Sequence, residues 1–117
     1  MSGLTTHILD LTHGCPAPGV RIELFQMNSG QLEKITETRT NENGRVAEPL
    51  ISSANIETGE YELLFHIGTY FGEKEAGTTE PPFLGKVAVR FGIAEPHEHY
   101  HIPLLISPWG YQVYRGS

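Results

Sequence analysis

Cysteine is nearly absent from this chain. A single thiol, Cys15, occurs in 117 residues. No internal disulfide can form, and the fold needs no oxidising compartment. Positive charge is also scarce. Eight Lys and Arg stand against 14 Asp and Glu, a formal net charge of -6 with a pI near 5.4. A nucleic-acid binder normally carries a basic face, so this balance argues against one. An anionic small molecule stays open, because a few local Arg and His residues make a positive pocket in an acidic protein. No apolar run approaches the ~18 residues of a membrane helix. The opening MSGLTTHILDLTHG lacks a basic start followed by an apolar run, so no secretory leader is expected. The chain end is not a Ser-Lys-Leu-type address. These absences predict a cytoplasmic protein with neither nucleic acid nor membrane as partner.

Helical periodicity is almost as rare. Thirteen glycines and eight prolines divide the chain into short segments. Alternation of apolar and polar residues predicts strands over 4–11, 20–27, 32–40, 60–67, 84–93, 99–106 and 109–115, with a further short segment at 45–47. The stretches 13–19, 28–31 and 41–44 carry turn residues. Only 68–77 has helical character. About eight short strands without a βαβ rhythm predict a two-sheet β-sandwich. No repeat, linker or low-complexity segment marks a boundary, so residues 1–117 are expected to form one domain. A chain of this length buries roughly two-thirds of its unfolded surface, enough for a core without staples.

Chemistry is suggested by histidine and arginine. His7 lies inside the first strand; standing alone, a strand histidine is more often a hydrogen-bonded structural residue than a catalytic one. The segment HEHYHIPLL is more informative. His97, His99 and His101 alternate, so on a continuous strand they share one face with Pro103 and Leu105. Tyr100, Ile102, Leu104 and Ile106 share the other, which is the core face. A solvent-facing row of His, Pro and Leu suits a partner subunit or a ligand channel. His-x-His spacing also occurs in zinc sites, but a third ligand is not indicated, with Asp10, Glu95 or Glu98 only guesses. No metal and no organic cofactor is expected. Arg45, leaving the turn TNENG, carries no weight by itself. The end GYQVYRGS alternates like a strand up to Tyr114 and then offers Arg115, Gly116 and Ser117.

Together, HILDLTHGCPAPGV, TNENGR, HYHIPLL, SPWGY and the terminal YRGS resemble the transthyretin-related proteins, and among them the 5-hydroxyisourate hydrolases. The resemblance runs from His7 to Ser117. It implies an all-β, prealbumin-like sandwich of two four-stranded sheets with one short helix. It implies a homotetramer, a dimer of dimers, with active sites in a channel between subunits. It implies hydrolysis of 5-hydroxyisourate to 2-oxo-4-hydroxy-4-carboxy-5-ureidoimidazoline in urate degradation. The matching catalytic positions are His7, Arg45, His101 and Ser117. Tyr114, Arg115 and Gly116 join them in binding the substrate, with His99 a neighbour. Histidine suits proton transfer near neutral pH. Arginine suits anion binding and oxyanion stabilisation. Either His7 or His101 is the general base, with the other as acid or orienter. Two other readings compete: a transthyretin-like carrier without chemistry, and a structural module whose opening resembles DLTHGCPAPGVRIEL. A carrier of a hydrophobic ligand has no need of paired histidines and an arginine.

Overall fold

The computed structural model describes residues 3–74 and 76–116. The elements follow in the order β1 (Gly3–Asp10), β2 (Cys15–Pro16), β3 (Arg21–Asn28), β4 (Gln31–Arg39), β5 (Gly59–Phe65), α1 (Ile67–Glu73), β6 (Val87–Ile93), β7 (His99–Ser107) and β8 (Gly110–Val113). They form two four-stranded sheets, β2-β1-β7-β8 and β4-β3-β5-β6. The chain is an all-β sandwich with one short helix, as the strand pattern predicts. Strands β1 and β7 are the parallel pair, in the register Thr5↔His101 and His7↔Pro103.

Period-two alternation builds the core. Leu4, Ile8, Ile102, Leu104 and Ile106 of the first sheet are buried, as are Ile22, Leu24, Tyr61, Leu63, Phe65 and Val87 of the second. Each fully buried large apolar side chain is worth about 1.5–3 kcal/mol relative to an exposed one. Thr5, His7 and Leu9 alternate with the buried residues of β1 and are half-buried on the opposite face. His7 and Thr5 of β1 and His99 and His101 of β7 therefore lie on the outer face of the two strands, as the alternation requires.

Helix α1 buries Ile67, Tyr70 and Phe71, the i, i+3, i+4 stripe of an amphipathic turn. It ends at Glu73 rather than near 77, because beyond Phe71 the sequence offers no apolar residue at helical spacing until Ala76. Tyr70 Oη donates to Asp10 Oδ2 at 2.8 Å. The buried Asp10 carboxylate also accepts from the backbone of Thr12 at 2.9 Å and of His13 at 3.1 Å. This ties the end of β1 to the helix and to the loop that follows.

Several strand bounds differ from the pattern. The predicted turn at 13–19 contains β2, because Asp10 and Leu9 still pair with Cys15 and Pro16. The segment at 45–47 is no strand; Arg45 makes one isolated bridge, to His7. Strand β6 starts at Val87 rather than 84, since Gly85 gives its carbonyl to Gly68 N, 2.8 Å away, at the start of the helix. Among the described residues, no helix is long and apolar enough to cross a membrane.

Candidate active site

The turn 40–45 is docked on the first sheet by its own hydrogen bonds. Thr40 Oγ1 donates to Ala17 O at 2.6 Å and accepts from Val20 N at 2.9 Å. Asn41 Oδ1 accepts from the amides of Asn43 and Arg45 at 2.9 and 3.1 Å, an Asx-type closure. Gly44 has φ of 72°, and its carbonyl accepts from Ile8 N at 2.8 Å. A Cβ there would lie 2.5 Å from Ile8 O. Both the left-handed backbone and the close approach require glycine. The result is that Arg45 leaves the turn directly opposite His7 on β1.

Strand β7 supplies the second histidine. Nδ1 of His7 and Nε2 of His101 share a hydrogen bond at 2.7 Å, and the rings stack with centroids 4.9 Å apart. Nδ1 of His101 is 2.8 Å from Thr5 Oγ1. Thr5 Oγ1 also lies 3.4 Å from Nε2 of His99. Burial, and after it the Arg45 guanidinium, holds the His7 imidazole below its ordinary 6.5. Burial, followed by the charges of His7, Arg45 and His99, pushes His101 down to about 4. Both rings are therefore neutral at neutral pH. In a neutral pair sharing one hydrogen bond, one ring donates and the other accepts, so the protonated nitrogen of each is fixed by the other.

The tail closes this face. Gly116 N donates to His101 O at 2.7 Å, and a Cβ on Gly116 would meet Pro103 Cγ at 3.0 Å and His101 Cδ2 at 3.1 Å. A cleft of about 480 Å³ results, lined by His7, Arg45, His101, Pro103, Tyr114, Arg115 and Gly116. A second hollow of about 250 Å³ adjoins it through Arg45 and His101 and reaches Thr5 and His99. The structure thus brings His7, Arg45, His101, Tyr114, Arg115 and Gly116 to one place. Ser117 lies outside the described residues. Arg115 lines the cleft with its guanidinium already engaged: Nη2 donates to Glu98 Oε1 at 3.0 Å and His99 O at 3.1 Å, and the group sits 4.0 Å from the Tyr100 ring centroid.

The remaining histidines stand apart. His97 is exposed in the turn before β7, so it does not share the face of His99 and His101. His13 is bound to Asp10 at 2.6 Å and His66 to Glu23 at 2.7 Å, both structural contacts. Thr5 is the site residue that the sequence pattern did not single out. Its signal is spacing alone: it precedes His7 by two on the same strand face.

Residues 4–116 match the profile of the HIUase/Transthyretin family. The chain belongs to this family. Among its relatives, the 5-hydroxyisourate hydrolase of Pseudomonas aeruginosa is 47% identical over 117 residues, covering 100% of this chain and 93% of that one. The solved 5-hydroxyisourate hydrolase of Klebsiella pneumoniae superposes with a TM-score of 0.81 at 35% identity, covering 100% of both chains. The transthyretin of Sparus aurata superposes with a TM-score of 0.88 at 29% identity, covering 99% of this chain and 97% of that one. Both branches of the family share the fold, and the hydrolases are the nearer of these in sequence.

Proposed function

We propose that this chain is a hydrolase that opens 5-hydroxyisourate to 2-oxo-4-hydroxy-4-carboxy-5-ureidoimidazoline. The observation that carries this reading is the neutral His7–His101 pair beside Arg45, in a cleft bordered on one side by the tail. Hydrolysis of a cyclic acyl C–N bond needs a base for water, a cation for the developing oxyanion and a proton for the leaving nitrogen. A neutral imidazole pair is suited to take a proton and return it. Arg45 holds its charge throughout and presents fixed donors, so it binds the electron-rich carbonyl and stabilises the oxyanion. A positioned base of this type contributes roughly 10²–10⁴ in rate. Tyr114 narrows the cleft and Gly116 lets the backbone approach; Arg115 contributes by anchoring the tail through Glu98 and His99. Ser117 orients water or substrate.

The assembly in this reading is a homotetramer of single-domain chains, a dimer of dimers in the cytoplasm. The support is the outer face of β1 and β7. Leu9 and Leu105 are only half-buried there and Leu11 is 56% exposed, so one chain leaves apolar surface beside an open cleft. The reading is tested by generating 5-hydroxyisourate from urate with urate oxidase and following its ultraviolet decay. Accelerated decay that is lost in Arg45→Ala supports it. Decay at the spontaneous rate, from a folded tetramer, makes the protein a carrier instead.

A further inference from the structure

The face of β1 and β7 presents an unbroken polar row behind the cleft. From the cleft inward it runs His7, His101, Thr5 and His99, with links of 2.7, 2.8 and 3.4 Å. At its far end, Nδ1 of His99 is buried with no hydrogen-bond partner among the described residues. Every link involves a group that both donates and accepts, but Thr5 Oγ1 has a single proton for two imidazoles. It can donate to His101 or to His99, never to both.

We propose that Thr5 is a positioning residue for the reaction, its one hydroxyl proton setting which ring nitrogen of His101, and through it of His7, carries hydrogen. The inference rests on the hydrolase reading above. Two settings exist. When Thr5 donates to His99, His101 donates from Nδ1 to Thr5 and accepts at Nε2 from His7, whose own Nε2 is then a lone pair, a base. When Thr5 donates to His101, His101 donates from Nε2 to His7, whose Nε2 then bears hydrogen, an acid. Hydrolysis needs the base first and the acid second.

The protons balance along the row. A proton leaving water is taken at His7 Nε2. His7 passes its Nδ1 proton to His101 Nε2, His101 passes its Nδ1 proton to Thr5, and Thr5 passes its own to His99 Nε2. Hydroxide adds to the carbonyl carbon. As the carbon–nitrogen bond breaks, His7 Nε2 gives the proton it holds to the leaving nitrogen, and the reverse transfers from His99 through Thr5 and His101 restore a proton to His7 Nδ1. The positive charge is thereby moved off His7 and His101, where burial and Arg45 oppose it, to the end of the row. The charged and titratable groups around the row are Arg45 and Glu48 from the segment after the turn, and Tyr114 and Arg115 from the tail.

The test compares Thr5→Val, which removes the hydroxyl at nearly constant shape, with Thr5→Ser, which keeps it. Hydrogen-bond partners that orient metal-bound histidines are worth about 10–100-fold when removed, and an orienting hydroxyl on a proton-transferring histidine is expected to act on the same scale. Thr5→Val is expected to lower kcat by that factor with KM nearly unchanged, and Thr5→Ser to recover most of it. Long-range proton–nitrogen NMR correlations of the imidazoles, read without substrate, should show the His101 tautomer altered in Thr5→Val and preserved in Thr5→Ser. An unchanged tautomer in Thr5→Val, or equal losses of kcat in both variants, overturns the proposal. If the wild-type protein fails to accelerate 5-hydroxyisourate decay, the hydrolase reading falls, and the NMR result still decides whether Thr5 sets the tautomer.

Discussion

His7 Nδ1 and His101 Nε2 lie 2.7 Å apart, joined across the parallel pair β1 and β7. Ninety-four residues separate them in sequence. The contact exists because the register sets Thr5, not His7, opposite His101, so the two rings meet on the diagonal of one sheet face. Among the described residues neither ring has a carboxylate as partner, and each defines the other's tautomer.

This coupling makes both histidines necessary. His7→Ala and His101→Ala are each expected to lower kcat/KM by about 10²–10⁴, and the double variant to lose little more than either single one, because a pair acting as a unit is not additive. Initial rates of 5-hydroxyisourate decay measure this. Losses that multiply in the double variant would show two independent groups instead.

The acid limb of the rate profile should lie below the ordinary histidine value. Burial and Arg45 depress both rings, His101 to about 4. The pair therefore stays neutral, and able to accept a proton, below pH 6.5, and the apparent values belong to the pair. The same depression has a stability sign. Below 6.5 the unfolded chain takes up protons that the folded pair refuses, so the unfolding free energy falls as pH drops from 6.5 towards 4. A pH series of kcat/KM, with denaturant melts alongside, reads both. An acid limb above 6.5 contradicts the assignment.

Gly44→Ala should damage the site without touching a functional side chain. The added methyl would stand 2.5 Å from Ile8 O on a backbone with φ of 72°. The turn must lift from β1, which costs about 1–3 kcal/mol and carries Arg45 away from His7. The expected result is a lower melting temperature together with a drop in kcat/KM resembling that of Arg45→Ala. Asn43→Ala, in the same turn but exposed and without a side-chain bond among the described residues, is the control and should leave activity near wild type.

Asp10→Ala should act on stability. It leaves the Tyr70 hydroxyl and the amides of Thr12 and His13 without their acceptor; of these only the Tyr70 hydroxyl is buried, and a buried orphan costs roughly 1–3 kcal/mol. In the wild-type protein, burial works to raise the Asp10 pKa, but hydrogen bonds from His13 and Tyr70 outweigh it and the net shift is downward. That contribution is present above the unfolded carboxyl value and is lost as pH falls through the lowered folded one. Acid unfolding of the wild type should therefore have a component below about pH 4 that Asp10→Ala lacks.

Much of the fold was legible from alternation. Leu4, Ile8, Ile102 and Leu104 recur at period two and are buried, and the opposite positions, His7, His99 and His101, share the outer face. Hydrophobic burial is local in its pattern, because a strand repeats every two residues regardless of its partner. The sequence also placed one short helix, at 68–77, directly after the strand at 60–67, where α1 runs from Ile67 to Glu73. Family resemblance then named the site positions, which strand periodicity could not have selected among six histidines.

Pairing was decided by the tertiary structure. Nothing in residues 15–16 or 45–47 indicates that the first would pair with β1 and the second make a single bridge; that depends on how the Thr40 and Gly44 contacts seat the turn. The meeting of His7 with His101 follows from the parallel register of two strands at opposite ends of the chain. Thr5 became a site residue only because that register sets it under His101. Sequence alone fixes which side of a strand a residue faces. Hydrogen bonds across 94 residues depend on register and loop docking, which are properties of the assembled sheet.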